Sequence, residues 1–272
     1  MVSHTKLNSP RVSIVMPVRN ANVFLRFALE SLNKQSYRNL ELIIIDDAST
    51  DQTAQVLKKY CNIFLTFKKN KTKQGVAASL NRGLKIAKGK YLARMDADDI
   101  ALPHRLKKQV DYLETHQEVG VVGSWVELIN EQGMKVATKK TPVTDAAIRR
   151  RVWYSNPLVH PAVMMRSDLY RRFGGYDERL EGAEDYDLWL RYLQFTKAIN
   201  IPEPLLKYRL HPGGISYSES DRLNLAYARA QLKSIREYGY PAWYIMFAFK
   251  SYLSSLLPMG VRQLIYRRIF KY

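Results

Sequence analysis

Cysteine is almost absent from this 272-residue chain: Cys61 stands alone. An intrachain disulfide is therefore impossible, and a reducing compartment is the default expectation. Acidic residues are also in short supply, 25 against 43 lysines and arginines, which leaves a formal net charge of +18. Such an excess favours an anionic partner, whether nucleotide phosphates, nucleic acid or an acidic membrane surface, and charge alone does not separate the three. No uninterrupted apolar run reaches the roughly 20 residues that span a bilayer. Residues 1–11 are polar and lack the apolar core of a secretory leader. The expectation is a soluble or membrane-peripheral protein. Also missing are the Gly-x-Gly-x-x-Gly fingerprint of dinucleotide enzymes and any P-loop lysine pattern.

What is present is 46% hydrophobic and 25% charged, ample for one sizeable core with an appended tail. Residues 12–18 read as a buried parallel strand in which Pro17 stops regular pairing, leaving the backbone before Arg19-Asn20 free for a ligand. In residues 23–34, Phe24, Phe27, Ala28 and Leu32 form a helical stripe. A second strand, 40–45, runs straight into Asp46-Asp47-Ala48-Ser49-Thr50-Asp51, and Ser49 or Thr50 can cap the following helix, 53–60. Strand 63–67, a basic loop at 68–73 and Gly75 come next. Val76, Leu80, Leu84 and Ala87 then line one face of a helix that Gly89 ends. This alternation predicts a parallel sheet with right-handed crossovers, whose ligands bind beyond the carboxyl ends of the strands.

The chain is organised around residues 91–99, an apolar strand that ends in Asp96-Ala97-Asp98-Asp99. On a regular strand Asp96 and Asp98 share a face, and their charges repel unless a cation lies between them. A hard divalent metal with room for phosphate oxygens suits that place; a solvated acidic turn or helix cap leading into Leu102-Pro103 is the alternative. Pro17, Asp46-Asp47 and Asp96-Asp98 all fall at strand ends, which predicts a nucleotide-type crevice.

The second half is less regular. Helix 102–114 carries Pro103 in its first turn, strand 119–126 follows, and Glu131-Gln132-Gly133 is a hairpin turn. Residues 144–152 form a short basic helix, and Asn156-Pro157-Leu158-Val159-His160-Pro161 leads to a strand at 162–165. After the Gly174-Gly175 turn, Glu184-Asp185 opens a helix running to about Phe195, and Tyr208-Arg209-Leu210-His211 follows a short strand. Residues 222–238 read as an amphipathic helix. Beyond it, 241–249 is apolar and aromatic, and Val261, Leu264, Ile265 and Ile269 oppose Arg262, Arg267, Arg268 and Lys271.

Taken in order, these residues resemble the inverting family-two glycosyltransferases of the GT-A fold. The resemblance covers about residues 11–215. It is carried by Val15-Met16-Pro17-Val18-Arg19-Asn20, by Ile45 to Asp51, by Gly75 with Asn81 and Gly83, and by Asp96-Ala97-Asp98-Asp99. Pro103 with Arg105-Leu106, Gly174-Gly175-Tyr176-Asp177 and Glu184-Asp185-Tyr186-Asp187-Leu188-Trp189 continue it. It implies an α/β architecture, a Rossmann-like and mostly parallel central sheet with helices on both faces. Residues 1–220 would be the catalytic domain, with the nucleotide-sugar half at about 11–100 and the acceptor half at 101–220. Residues 221–272 would be a helical, basic and aromatic extension.

The resemblance also implies roles. Pro17, Asp46 or Asp47, and Asp96 with Ala97 would hold the nucleotide sugar, while Gly75 and Asn81 shape the crevice wall or touch the ligand. Ser49 and Asp51 are either helix caps or ligand contacts. In the Asp-x-Asp motif Asp98 would ligate Mn2+ or Mg2+, with His211 as a metal or phosphate ligand and Arg209 as a phosphate partner. Asp99 is either a supporting residue or a helix cap. Asp185 would be the general base, kept ionised by its helix start, and Glu184 its neighbour. His160 and Trp189 are placed on the acceptor side, Trp189 alternatively in the core.

The implied reaction moves a hexosyl or N-acetylhexosaminyl unit from a nucleotide-diphosphate sugar, with UDP the expected nucleotide, to a glycan or lipid-linked glycan. That places the chain in cell-surface polysaccharide or lipopolysaccharide synthesis, in the cytoplasm or at the cytoplasmic face of the inner membrane. The extension would lie on an anionic membrane or pack on the protein. A sugar-1-phosphate nucleotidyltransferase is the rival enzyme, but it wants a glycine-rich phosphate loop that Pro17-Val18-Arg19-Asn20 does not supply. A basic nucleic-acid-binding module is the rival outside enzymes, yet acids cluster at the strand ends and no specific nucleic acid is expected.

Overall fold

The computed structural model describes residues 11–60, 65–211 and 220–256. Its first half is a run of β1 (Val12–Val18), α1 (Leu25–Asn33), β2 (Leu40–Asp46), α2 (Thr53–Lys59), β3 (Leu65–Lys69), α3 (Val76–Ile86) and β4 (Tyr91–Arg94). These strands pair in parallel in the order β3-β2-β1-β4. Val12, Ile14, Met16 and Val18 of β1 pack into one apolar cluster and Val15 into another, because the strand is covered on both faces.

Pairing does not stop at Pro17. The ladder to β2 runs on to Val18, and only the ladder to β4 ends early, at Val15. In α1 the buried face is Leu25, Ala28, Leu29 and Leu32, whereas Phe24 and Phe27 turn away from the core. Neither Ser49 nor Thr50 caps α2. Asp51 does so with Oδ1, which accepts the Thr53 N–H at 3.0 Å.

The second half adds β5 (Ile100–Ala101), α4 (Arg105–Thr115), β6 (Val119–Ile129), β7 (Lys135–Lys139), α5 (Asp145–Val152), β8 (Met164–Arg166), α6 (Ser167–Phe173), α7 (Glu184–Tyr192) and β9 (Lys197–Arg209). Pro103 lies in the turn before α4, outside its first helical turn. β8 joins β4 antiparallel, and the nine-stranded sheet continues β8-β6-β9-β5 with β7 on β6. The unbroken parallel run β3-β2-β1-β4 thus lies in the first half, and parallel pairing returns in the second between β6 and β9. β9 is long, 13 residues, where the sequence suggested a short strand.

At the seam between β4 and β8, α4 contributes two buried polar side chains. Arg105 donates through Nη2 to the Arg94 carbonyl at 2.6 Å, and Gln109 Nε2 donates to the Ala162 carbonyl at 2.8 Å and the Val122 carbonyl at 3.2 Å. Buried carbonyls and buried polar side chains both need partners, and each supplies the other here.

The C-terminal region forms a helical hairpin, α8 (Ser220–Glu237) and α9 (Ile245–Leu256), joined by a 3-10 turn at Ala242–Tyr244. Ala226, Ala230 and Tyr244 belong to the same apolar cluster as Tyr186 and Trp189 of α7. The stripe of Val261, Leu264, Ile265 and Ile269 lies outside the described residues.

Candidate active site

β4 ends at Arg94, so a turn, not a strand face, brings Asp96 and Asp98 together. One carboxylate oxygen each from Asp96, Asp98 and Asp99 lies within 4.8 Å of the others. Asp99 is buried. Its Oδ1 accepts the Arg209 N–H at 3.0 Å, while Oδ2 has no hydrogen-bond partner among the described residues. Burial pushes the Asp99 carboxyl well up, and the charges of Asp98 and Asp96 push the same way. Burial also raises Asp96, opposed by its ion pair with Arg94. Asp98 Oδ2 lies 2.8 Å from His211 Nε2. Three converging carboxylates, one with a bare buried oxygen, and a neighbouring imidazole fit a hard to borderline divalent ion such as Mg2+ or Mn2+. Asp99 is no helix cap, since His104 precedes α4.

Arg209 has a structural task through Nε and Nη1, besides any contact with phosphate. Its guanidinium donates to the carbonyls of Asp98 (2.9 Å), Asn130 (3.0 Å) and Glu131 (2.7 Å), and it lies 4.6 Å from the centre of the Phe24 ring. A residue so committed ties the β6–β7 turn to the Asp98 turn. Phe24, outside the core, belongs to this corner, 5.1 Å from the His211 ring.

At the tips of β1 and β2 the two acids divide their work. Asp47 Oδ1 accepts from Asn70 Nδ2 and from the Gln74 N–H, both at 2.7 Å, and Oδ2 from the Gly75 N–H at 2.9 Å. Asp47 therefore shapes the 70–75 loop, and Gly75 (φ +93°) supplies the backbone turn that delivers its N–H. Asp46 Oδ1 accepts the Ser49 N–H at 2.9 Å. Its Oδ2 is buried with no hydrogen-bond partner among the described residues and has Lys69 Nζ 3.6 Å away. Asn20 and Ala48 both adopt left-handed backbone, φ 48° and 56°, which side chains seldom take without a compensating constraint. Ser49 Oγ accepts the Asn20 N–H at 3.0 Å and Asn20 Oδ1 accepts the Thr50 N–H at 2.9 Å, locking the tips together. Pro17 and Ala97 sit in this region, in β1 and in the Asp96–Asp98 turn. Asn81 instead grips the loop after α6: Nδ2 donates to the Tyr176 carbonyl and Oδ1 accepts the Tyr176 N–H, both at 2.9 Å.

The second acidic group opens α7. Asp185 Oδ1 accepts the Tyr186 N–H at 2.7 Å, and Oδ2 accepts from Asn156 Nδ2 at 2.6 Å. Glu184 Oε2 accepts the Gly182 N–H at 2.6 Å. The helix start does not dominate their ionisation. Burial, followed by the charge of Asp185, pushes Glu184 up to about 7, and burial raises Asp185 as well. His160 is buried with Nδ1 4.0 Å from Asp185 and Nε2 2.8 Å from the Tyr176 hydroxyl; burial, helped by Arg94, holds it well below the usual histidine range. It stands behind Asp185 as a neutral ring. Trp189 is 1% exposed and belongs to the core, so it offers no platform to a sugar.

Sequence reasoning missed Arg94 and Asn156. Arg94 is buried, pairs with Asp96, and its charge also bears on Glu184 and Asp185. The available signal was an arginine inside an otherwise apolar strand, two residues before Asp96.

Residues 13–173 match the family described as Glycosyl transferase family 2. EpsE of Bacillus subtilis (strain 168) is 38% identical over 208 residues, 74% of each chain. The O-antigen biosynthesis glycosyltransferase WbnJ of Escherichia coli is 32% identical over 232 residues, 84% of this chain and 88% of WbnJ. The amylovoran biosynthesis glycosyltransferase AmsE of Erwinia amylovora is 30% identical over 260 residues, 90% of this chain and 92% of AmsE. Among solved structures, S. aureus TarS 1–349 in complex with UDP-GlcNAc superposes with a TM-score of 0.70 at 20% identity, over 90% of this chain and 71% of that one. The chain spans 65% of the same TarS fragment in complex with UDP. The mannosyltransferase PcManGT of Pyrobaculum calidifontis, in complex with GDP-Man and Mn2+, gives 0.67 at 19% identity, over 97% and 81%. These structures share the fold, GT-A.

Proposed function

The chain belongs to glycosyl transferase family 2, and on that premise we propose that it transfers one sugar, with inversion, from a UDP-sugar to a hydroxyl of a glycan or lipid-linked glycan. Names among its relatives, amylovoran and O-antigen biosynthesis, support a place in cell-surface polysaccharide synthesis. The observation that carries the reading is two groups of carboxylates, Asp96, Asp98 and Asp99 beyond β4 and Glu184 with Asp185 at the start of α7, with the buried Arg94 paired to Asp96 and its charge favouring the ionised forms of Glu184 and Asp185.

Asp98 and Asp99, with Asp96 and His211, would hold Mn2+ or Mg2+, which when bound supplies Lewis-acid neutralisation of the diphosphate leaving group. Asp46, whose buried Oδ2 has no hydrogen-bond partner among the described residues, would accept from the nucleotide base or ribose, and the Asp96–Arg94 pair would face the ribose or sugar. Asp185 takes the proton of the acceptor hydroxyl on the face opposite the leaving nucleotide. Its ionised form is favoured by the Tyr186 N–H, by the charge of Arg94 and by the Asn156 amide. Glu184, titrating near neutrality, binds the acceptor or orients it.

The hairpin contributes a surface for an anionic membrane. Ile245, Met246, Phe249, Tyr252 and Leu253 are exposed on α9. Trp243 packs edge-on against Trp153, with ring centres 4.9 Å apart, beside the basic Arg149, Arg150 and Arg151 of α5. Apolar side chains beside arginines match the chemistry of an acidic lipid interface. No helix among the described residues is long and apolar enough to cross a membrane.

The deciding experiment screens UDP- and GDP-sugars for Mn2+-dependent hydrolysis and transfer, with Asp98→Ala and Asp185→Asn as controls. Turnover of a UDP-sugar that both substitutions abolish supports the reading; turnover indifferent to both overturns it.

A further inference from the structure

Asp185 is braced from a part of the chain that sugar transfer leaves without a task. Asn156 lies just ahead of the 3-10 turn His160–Ala162. Its Oδ1 accepts the Leu158 N–H at 3.1 Å, which orients the amide so that Nδ2 faces Asp185 Oδ2. An amide nitrogen carries two hydrogens, and when buried each wants an acceptor. Tyr227 of α8 faces that amide: burial pushes its hydroxyl well up, and the Asn156 side chain works against the rise. The Tyr227 ring stacks on Tyr186, with centres 4.5 Å apart and planes 19° from parallel.

The rest of α8 holds that ring in place. Leu223, Tyr227 and Gln231 are four residues apart and share one helix face. Leu223 lies against Gly182, where an added Cβ would come 2.6 Å from Leu223 Cδ2. Gln231 Nε2 donates to the Tyr186 hydroxyl and to the Trp153 carbonyl, both at 3.2 Å. Ala226 and Ala230 beside them are buried and small, so the helix backbone approaches closely. A helix appended only for anchoring has no need to meet residues 182–186 at these points.

We propose that Asn156 and Tyr227 are positioning residues for the Asp185 carboxylate, so that α8 is a working part of the acceptor side of the enzyme. This rests on the assignment of Asp185 as the base. A buried base must be charged and correctly aimed, and two N–H donors, one on each oxygen, meet both needs. Asn156 supplies one, and Tyr227 keeps the Asn156 amide turned toward Asp185. The other groups acting on or lying near Asp185 are Glu184 on its own helix, His160 on the 3-10 turn, Tyr176 on the preceding loop, Arg94 of β4 and Lys139 of β7. The two cations favour its charged form and Glu184 opposes it.

The test needs no substrate. Titration of 13C-labelled aspartate carboxyls in the full chain, with Asp185→Asn assigning the signal, should place the Asp185 midpoint higher by about 1 pH unit in Asn156→Ala. Tyr227→Phe keeps the ring stack but loses the hydroxyl, and should move the midpoint the same way by less. A midpoint unmoved in both folded variants, whatever their melting temperatures, overturns the proposal and leaves the contacts purely structural. A parallel assay of UDP-GlcNAc hydrolysis with Mn2+ tests the underlying reading. Full turnover by Asp185→Asn there would remove the base, and the proposal with it; loss of turnover with an unmoved midpoint would remove the proposal alone.

Discussion

His211 Nε2 lies 2.8 Å from Asp98 Oδ2, although 113 residues separate them in the chain. The link is made by β9, whose last residue, Arg209, bonds the main chain of Asp98 through its guanidinium and the carboxylate of Asp99 through its N–H. Phe24 lies on His211 and on the Arg209 guanidinium. The imidazole is thereby fixed against the acidic turn in advance of any ligand, which limits the ordering that binding must supply.

Replacing Asp98 by Ala should weaken Mn2+-dependent UDP binding by more than the roughly tenfold to hundredfold typical of outer-sphere partners of a metal, and His211→Ala, which leaves three carboxylates in place, should weaken it by less than Asp98→Ala. Isothermal titration with and without Mn2+ separates the two. Wild-type affinity and metal dependence in Asp98→Ala would show that the ion is held elsewhere.

Asp185→Asn should keep UDP binding and lose transfer by roughly 10²- to 10⁴-fold, the usual contribution of a general base. The measurement is kcat for transfer beside the dissociation constant for UDP. A joint loss of both would point to a disturbed fold.

Glu184 makes a signed prediction about stability. Its folded pKa, about 7, is above the ordinary 4.5, so the folded state binds the extra proton between those values. Stability from this group is present below about 4.5 and is lost as pH rises toward 7, roughly 3 kcal/mol at most at 1.36 kcal/mol per pKa unit. Glu184→Gln keeps an acceptor for the Gly182 N–H and removes the titration. Its melting temperature should fall less than that of the wild type between pH 5 and pH 8, and parallel curves would refute the buried titration.

Lys233 of α8 places Nζ 2.7 Å from Asp177 Oδ2 and 3.1 Å from Asp187 Oδ1, and Asp187 is fully buried. Lys233→Met leaves that carboxylate with only the Tyr238 hydroxyl and a distant Arg191, at a cost of about 3 kcal/mol in urea denaturation. A loss under about 1 kcal/mol would mean that the pair is screened like a surface one.

For the membrane surface, Met246→Ser with Phe249→Ser should reduce sedimentation with phosphatidylglycerol vesicles while leaving the chain folded. Deleting the hairpin is a poorer test, because Tyr244 is buried and its hydroxyl donates to the Val152 carbonyl at 2.8 Å. Undiminished vesicle binding by the double variant would assign the exposed patch to a second copy or to another protein.

The parallel half was legible because β1, β2 and β4 are buried on both faces and so read as short apolar runs, with the acids marking their ends. Asp96 and Asp98 were found by type but with the wrong local geometry: alternation holds only on a strand, and β4 stops at Arg94. β9 was hidden by Pro202 and Pro204, which read as strand breakers. The sheet accommodates them where the β6 register slips, between Ser124 and Trp125. Arg209, Asn81 and Trp189 show a different limit. Each makes its contacts with atoms brought from distant segments, which spacing along the chain does not encode. Asn156 escaped for the same reason, its partner Asp185 being 29 residues away.

The polar stitching by Arg105 and Gln109 bears on how firmly the second half is held to the first. Lifting α4 from the sheet would strip buried donors from the Arg94, Ala162 and Val122 carbonyls, each broken bond costing on the order of 1–3 kcal/mol. Arg105 and Gln109 thus tie α4 to β4, to the 3-10 turn and to β6 at once, so the segments on either side of the β4–β8 seam share one buried polar anchor.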